Sequence, residues 1–286
     1  ARAILWGAAW DMTRDAEMTA RDFVALVLGN IGAETDSWGL TRIPVFAAQA
    51  VASFSAPEHR SALKAEWQQG LRRLVDEAEP GSDQQLTFAR CFASAARSDE
   101  ALSELEALLD GSLVIEGLAV DTDLRWAVLT GLAARGRADD ARIDDELTRD
   151  NTISGKENAA AARAAMPTAE AKERAWKQAM LDPTTPNETA RSVILSFQRS
   201  DQEEVLAPYV DKYLAAVSTA WETLGAHKGS TALEYLFPKP LASPELLEKV
   251  DAWLTGAKAN PGALRYVREG RAEVARALAA QAKDAG

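Results

Sequence analysis

The chain has 286 residues, of which 47% are hydrophobic and 26% are charged, with a formal net charge of −11 at pH 7. Such a length and composition are typical of a globular protein with a sizeable core and exclude a disordered chain. The acidic excess argues against binding nucleic acid or anionic membranes, because both need a cationic protein surface. We therefore expect neither among the partners.

The first predicted helix opens almost at the first residue. Its apolar residues at helical spacing define one predicted face: Ile4, Leu5, Ala8, Ala9 and Met12. Only the start of the chain precedes this helix, so we expect an excised fragment whose missing neighbour lies upstream. Trp6 and Trp10 belong to the same helix, and we expect them to be exposed and to contact that neighbour.

Start and stop signals delimit the helices that follow. Ser55 is expected at an N-cap, with Pro57 in the first turn of the helix after it. Asp121 is expected to cap a helix that is apolar nearly all round and therefore buried. Pro208 is expected to separate a short first piece from the long helix that follows it.

A recurring joint between helix-like runs indicates the architecture. At each joint one run ends in Arg, a small residue and Asp, and the next run begins at once. It occurs at Arg97–Glu100, Arg137–Asp140 and Arg199–Gln202, with a looser version at Met166–Glu170. We expect Arg to lie near the last carbonyls of one helix and Asp or Thr to cap the next. Joints roughly 30 to 40 residues apart are typical of stacked helical repeats. The prediction is a single all-α domain over residues 1–286, a right-handed solenoid of HEAT/ARM-like helix pairs.

Searches for catalytic motifs give no candidate. The two histidines, His59 and His227, have no histidine partner at zinc-binding spacing, and no nucleophile elbow or phosphate-binding glycine loop occurs. Cys91 lies on an apolar stretch and is expected to be a core residue rather than a reactive thiol. Carboxylates at Asp139–Asp140 and Asp144–Glu146 are expected as solvated helix caps. We predict no catalytic residue, metal or cofactor in this chain.

The expected cellular compartment rests on features that the sequence lacks. Cys91 is the single cysteine, no run approaches 18 apolar residues, and residues 1–6 lack the order of a signal peptide. The expectation is a cytoplasmic protein.

Three arginines in the last predicted helix are the candidate peptide contacts. Arg271 falls within an apolar stripe of that helix, and Arg265 and Arg268 flank the same side. One interpretation is an arginine with a packed stem or an acidic partner. The other is a group of arginines that holds a peptide carboxylate bidentately.

Several segments, taken together and in order, resemble the C-terminal domain of actinobacterial aminopeptidase N. They are Leu5–Asp15, Val27–Ile31, Glu34–Asp36, Asp121–Trp126, Ile143–Asp150 and Lys172–Trp176. The resemblance implies a parent zinc metallopeptidase that removes N-terminal residues from peptides. Its zinc would be held by H-E-x-x-H and a distant Glu, and the substrate amine near G-x-M-x-N. None of these motifs is present, so the resemblance implies that they lie upstream of Ala1.

The resemblance implies a noncatalytic role for this chain. It would form a HEAT-like helical bowl that encloses the active-site chamber and controls the access of peptides. Its partners would be the upstream catalytic domain of the same chain and peptide substrates, with zinc bound only by that upstream domain. The alternative is a free-standing helical-repeat adaptor that binds a protein or peptide on its concave face.

Overall fold

A computed structural model describes residues 2–286, which form helices and connections without a strand in that range. This confirms the all-α prediction. No helix within the described residues is both long enough and apolar enough to cross a bilayer. The apolar segment Leu113–Val120 is an irregular connector.

Sixteen α-helices occur within residues 2–286. They are α1 (Arg2–Arg14), α2 (Ala20–Asn30), α3 (Ser37–Gln49), α4 (Pro57–Glu77), α5 (Asp83–Ala95), α6 (Asp99–Asp110), α7 (Thr122–Ala134), α8 (Asp140–Arg149), α9 (Ile153–Ala165), α10 (Ala169–Trp176), α11 (Asn187–Phe197), α12 (Glu203–Leu206), α13 (Tyr209–Thr223), α14 (Gly225–Tyr235), α15 (Pro244–Gly256) and α16 (Pro261–Ala285). Two π-helical segments, Ala50–Phe54 and Lys177–Leu181, continue α3 and α10.

The helices belong to two compact units. Unit 1 comprises Ala1–Leu132 and Arg276–Gly286, and unit 2 comprises Ala133–Ala275. The chain therefore returns to unit 1 within α16. A single domain over residues 1–286 and a right-handed solenoid stay predictions.

An aromatic cluster around Trp10 occupies the core of unit 1. The Trp10 ring stacks on Phe46 with centroids 4.6 Å apart, and lies 5.5 Å from each of the Phe23 and Phe54 rings. These rings come from α1, α2, α3 and the π-helical segment after α3. Burial of such large apolar surfaces is the main favourable term in packing these four elements.

The core of unit 2 contains a second aromatic cluster. Trp176, Phe197 and Tyr209 join α10, α11 and α13, with ring centroids 4.9 to 6.0 Å apart. The Tyr213 hydroxyl donates to the carbonyl of Leu233, and its ring meets Phe237 edge-on at 5.4 Å. Aromatic side chains thus connect the successive helices of this unit.

The joints differ in which residue caps the helix that follows. Asp139 caps α8 and Thr168 caps α10, as predicted. Ser98 rather than Asp99 caps α6. Asp201 is not the N-cap of α12, because Gln202 takes that position; the φ of Asp201 is +67°, and its carboxylate accepts from Arg135 at 2.8 Å. The presence of a helix start at a joint is therefore easier to predict than the residue that caps it, because neighbouring polar residues compete for the same N–H groups.

Of the three helix starts predicted at Ser55, Asp121 and Pro208, two follow the sequence signals. Asp121 accepts from the backbone N–H of Leu124 at 2.8 Å, and α7 is buried as predicted. Pro208 separates α12 from α13. Ser55 is not the N-cap of α4: Ala56 takes that position, with Pro57 first in the helix. The Ser55 hydroxyl instead donates to the Val51 carbonyl at 2.7 Å.

Candidate functional site

The two indoles of α1 point into unit 1. Trp6 is 6% exposed and Trp10 is 7% exposed, so the expectation that they are exposed is wrong. The Trp6 Nε1 donates to Glu34 Oε2 at 2.9 Å, and Trp10 lies in the aromatic cluster. Two large rings bury more apolar area than the aliphatic residues of α1, which explains why α1 turns this face inward.

Glu34 is the polar partner that allows α1 to pack in this way. Its Oε1 accepts from the backbone N–H groups of Thr35 and Asp36 at 2.9 and 3.1 Å, just before α3. The hydrogen bonds from Trp6, Asp36 and Thr35 and the charge of Arg2 outweigh burial, so the pKa of this carboxyl is lowered. Glu34 therefore fastens α1 to the start of α3 as an anion.

The apolar face of α1 that the sequence predicts is mostly exposed. Ile4 is 76% exposed and Leu5 is 68% exposed; Ala8 and Met12 are exposed as well. Only Ala9 of the five predicted residues is buried. We call Ile4, Leu5, Ala8 and Met12 the aliphatic stripe of α1.

The candidate peptide contacts lie along α16 within unit 2. Arg271 is half-buried and donates bidentately to Asp251, with Nε–Oδ1 at 2.9 Å and Nη2–Oδ2 at 2.8 Å. This pairing lowers the pKa of Asp251 and raises that of Arg271. Arg265 pairs with Glu269 at 3.4 Å, and Arg268 is exposed. A peptide carboxylate at Arg271 would thus have to compete with Asp251.

In the part of the chain that the structure describes, the groups usually found in hydrolytic sites do not assemble. His59 Nδ1 lies 2.9 Å from the backbone carbonyl of Asp284, whereas His227 is exposed. Burial raises the pKa of the Cys91 thiol to about 12, so it is a poor nucleophile. Within residues 2–286 no three His, Cys, Asp or Glu side chains are grouped to hold a metal ion. The described residues therefore do not fit a zinc ion.

The acidic residues around α8 are paired with arginines. Asp140 accepts from Arg163 at 3.3 Å and from Arg174 at 3.2 Å, and Asp144 also accepts from Arg163. These contacts join α8, α9 and α10. The expectation of simple solvated caps holds for Asp139 but misses the ion pairs of the other two.

A fully buried lysine in unit 2 is a polar group that sequence reasoning did not identify. Lys172 is 0% exposed, and its Nζ donates to the carbonyls of Ala164 and Phe197 at 2.8 and 2.7 Å. These carbonyls lie at the ends of α9 and α11, where no intrahelical donor remains. Burial and the nearby charge of Arg199 lower the pKa of Lys172 to about 7. A lysine at an otherwise apolar position of α10 was the available signal.

Gln202, at the joint before α12, pairs with helix C-termini in a similar manner. Its Nε2 donates to the carbonyls of Ala134 and Ala165, both at 2.8 Å, at the ends of α7 and α9. Lys172 and Gln202 thus serve as side-chain caps for helix C-termini within unit 2. Both side chains are buried, so we assign them a structural role.

Asp284 has the corresponding role in unit 1. This side chain is 0% exposed, and its carboxylate accepts from the backbone N–H groups of Ala56 and Arg21 at 2.9 and 3.2 Å. Burial acts to raise the pKa of Asp284, but these hydrogen bonds and the Arg21 charge outweigh it, so the pKa is lowered. The end of α16 therefore holds the N-termini of α2 and α4.

The fold defines the class: within residues 2–286 this is an all-α protein whose buried polar side chains pair with the free groups of helix ends. The chain belongs to the ERAP1-like C-terminal domain family, whose sequence pattern matches residues 1–276. It is also similar to aminopeptidase N of Streptomyces lividans, with 43% identity over 284 residues. That alignment covers 99% of this chain and 33% of the relative, so the chain spans about a third of the relative's length.

Proposed function

We propose that this chain is the noncatalytic C-terminal domain of a zinc aminopeptidase that removes N-terminal residues from peptides. The observation that carries the proposal is the 43% identity to an aminopeptidase N over 99% of the chain, in a family described as a C-terminal domain. Within residues 2–286 no three His, Cys, Asp or Glu side chains are grouped to hold a metal ion, which supports a catalytic centre elsewhere.

The domain's work would be to enclose the active-site chamber and to control which peptides reach it. Its partners would be the upstream catalytic domain of the same polypeptide, which holds the zinc, and the peptide substrates. We place the enzyme in the cytoplasm. We also propose that α1 contacts the catalytic domain. Trp6 and Trp10 are buried in unit 1, so they would support this contact by holding α1 in place.

The arginines of α16 are the proposed contacts with the distal end of the peptide. Arg268 is exposed, and Arg271 already forms the bidentate geometry that a carboxylate needs, although with Asp251. A peptide carboxylate would displace Asp251 from Arg271 or form an ion pair with Arg268. Arg265 would contribute at the end of this row.

The test uses the full-length enzyme and peptides of increasing length. Arg271→Met is expected to weaken the preference for long peptides while leaving hydrolysis of a small aminoacyl anilide unchanged, because only the former reaches α16. Asp251→Asn is the matched variant and should strengthen that preference, since it frees Arg271 from its partner. Unchanged length preference in both variants would contradict the peptide-contact proposal.

A further inference from the structure

The joint between α11 and α12 in unit 2 brings three cationic side chains together. Lys172 is fully buried there, and burial and then the charge of Arg199 lower its pKa. Burial and then the charge of Arg135 lower the pKa of Arg199 to about 10, so the three cations lie within range of one another. Asp201, at the same joint, accepts from Arg135 at 2.8 Å. This cationic cluster forms in a protein whose net charge is −11.

Arg199 is the member of the cluster that no carboxylate of the described residues neutralises. Its Nη2 donates to the Oγ of Ser196, a neutral group, at 3.2 Å. Its Nε is buried and has no hydrogen-bond partner within residues 2–286. At the first joint, by contrast, the Nε of Arg97 donates to the carbonyl of Ala95 at 3.4 Å. A desolvated guanidinium without an anionic partner is costly, because burial removes its hydration.

Ser196 places a second donor beside Arg199. This side chain lies in the last turn of α11 and is 6% exposed. Its Oγ accepts from Arg199, and a serine hydroxyl that accepts one hydrogen bond still carries a proton to donate. The Nε–H of Arg199 and the O–H of Ser196 are therefore donors on neighbouring groups, at the most positive part of the joint.

We propose that Arg199 and Ser196 bind a small inorganic anion at this joint, with the positive charges of Lys172 and Arg135 adding to the attraction. The anion would accept from the Nε–H of Arg199 and from the Ser196 hydroxyl. A hydrogen bond between a guanidinium and an anion is roughly twice as strong as a neutral one. Because both donor groups are buried, the site favours an ion of the size of chloride or phosphate over a macromolecule.

A water molecule is the competing occupant. The Oε1 of Gln202, at the same joint, is also buried and has no hydrogen-bond partner in the described part of the chain. Water can accept from Arg199 and donate to Gln202, whereas an inorganic anion such as chloride only accepts. Water does not offset the charge of the cluster, however, so we favour the anion. The two occupants differ in whether the stability of the protein depends on the kind of anion in solution.

The experiment measures thermal unfolding of the purified protein in sodium chloride and, separately, in sodium phosphate. Sodium gluconate keeps the ionic strength constant, so that general screening does not change, and gluconate is too large for a buried site. We expect chloride or phosphate to raise the melting temperature by at least about 2 °C, because an anion that binds only the folded chain stabilises it. The concentration that gives half of this rise measures the apparent affinity.

Two variants locate the site on these residues. Arg199→Met should weaken the apparent affinity at least about tenfold, because it removes the charged donor. Ser196→Ala should weaken it several-fold while keeping the charge, and it keeps the test decisive if Arg199→Met does not fold. Arg191→Met is the matched control and should retain the wild-type affinity, since Arg191 is exposed on α11.

The salts and the variants together decide between the occupants. A melting temperature that is the same in chloride, phosphate and gluconate would overturn the anion site and leave water as the partner of Arg199. An equal rise in the wild type, Ser196→Ala and Arg199→Met would also overturn it, because the anion would then bind elsewhere. A rise that is reduced in both site variants and retained in Arg191→Met would confirm the site, and the effective salt would identify the anion.

Discussion

The most deeply buried charged groups of the two units differ in sign and in the helix ends that they serve. In unit 1 the carboxylate of Asp284 accepts from N–H groups at the starts of α2 and α4. In unit 2 the amine of Lys172 donates to carbonyls at the ends of α9 and α11. Both side chains are 0% exposed. Each one fastens three helices, counting its own.

The difference follows from the polarity of helices. Helix N-termini present unpaired N–H groups and a partial positive charge, whereas C-termini present carbonyls and a partial negative charge. A buried acid therefore suits the starts of two helices, and a buried amine suits their ends. The two fastenings should consequently respond to pH in different ranges.

The largest expected effect is on the pH dependence of unit 2. The folded pKa of Lys172 is about 7, whereas the unfolded value is 10.5. Between these values the unfolded chain binds more protons, so stability should rise with pH by about 1.4 kcal/mol per pH unit and stay level below 7. Urea unfolding of the wild type and of Lys172→Met from pH 6 to 10 would measure this. The variant should lack the rise.

Lys177→Met is the matched control for that prediction. Lys177 follows α10 and is exposed, so its replacement should leave the rise intact. Parallel pH profiles for the wild type and Lys172→Met would contradict the assignment of a buried amine to this joint.

The next effect is on unit 1. Asp284→Asn removes the buried negative charge and leaves N–H groups of Ala56 and Arg21 with a weaker acceptor, at an expected cost of about 2–3 kcal/mol. The folded pKa of Asp284 is lowered from 3.8, so its contribution is present at neutral pH and lost as the pH falls through the folded value. Urea unfolding and hydrogen exchange at the starts of α2 and α4 would measure both.

Lys283→Ala provides the comparison for Asp284→Asn, because Lys283 is exposed on the adjacent position of α16. Its expected change is within about 0.5 kcal/mol. If the two variants were equally stable, the buried carboxylate would not fasten unit 1.

A smaller effect is expected at Glu34. Glu34→Gln keeps an acceptor for Trp6 but loses the charge that faces the N–H groups of Thr35 and Asp36, at about 1–2 kcal/mol. Thermal unfolding should shift down, and exchange at these two amides should accelerate. Glu79→Gln, at an exposed position, should change neither.

The smallest effect is expected for the ion pair of α16. Arg271→Met should change the melting temperature by less than about 2 °C, because a partly exposed ion pair, even a bidentate one, contributes at most about 1 kcal/mol to stability. A large loss of stability in scanning calorimetry would show that Arg271 has a structural role and would weaken its assignment as a peptide contact. The Asp251→Asn variant should behave in the same way.

The sequence predicted the elements better than the faces they bury. Helix positions follow from local spacing and caps, as at Asp121 and Thr168, so a single sequence carries them. The orientation of α1 does not follow, because its indoles and its aliphatic residues form two competing apolar faces. Asp284 and Ala56 are separated by 228 positions, and no local pattern reports such a contact.

The resemblance, rather than the spacing of residues, led to the family. The order of the quoted segments indicated the C-terminal domain of aminopeptidase N, and the match over residues 1–276 confirms that family. The candidate peptide contacts Arg265, Arg268 and Arg271 stay predictions. Their ionic partners, such as Asp251 on α15, belong to tertiary structure that helical periodicity does not specify.

The most direct test of the account is whether the isolated chain performs chemistry. The purified 286-residue protein would be supplied with stoichiometric Zn²⁺ and assayed with an aminoacyl anilide, while calorimetry follows zinc binding. The account predicts no turnover and no site-specific zinc binding, in contrast to the full-length enzyme under the same conditions. Zinc-dependent turnover by the isolated chain that is lost on replacing His59 or His227 would contradict it.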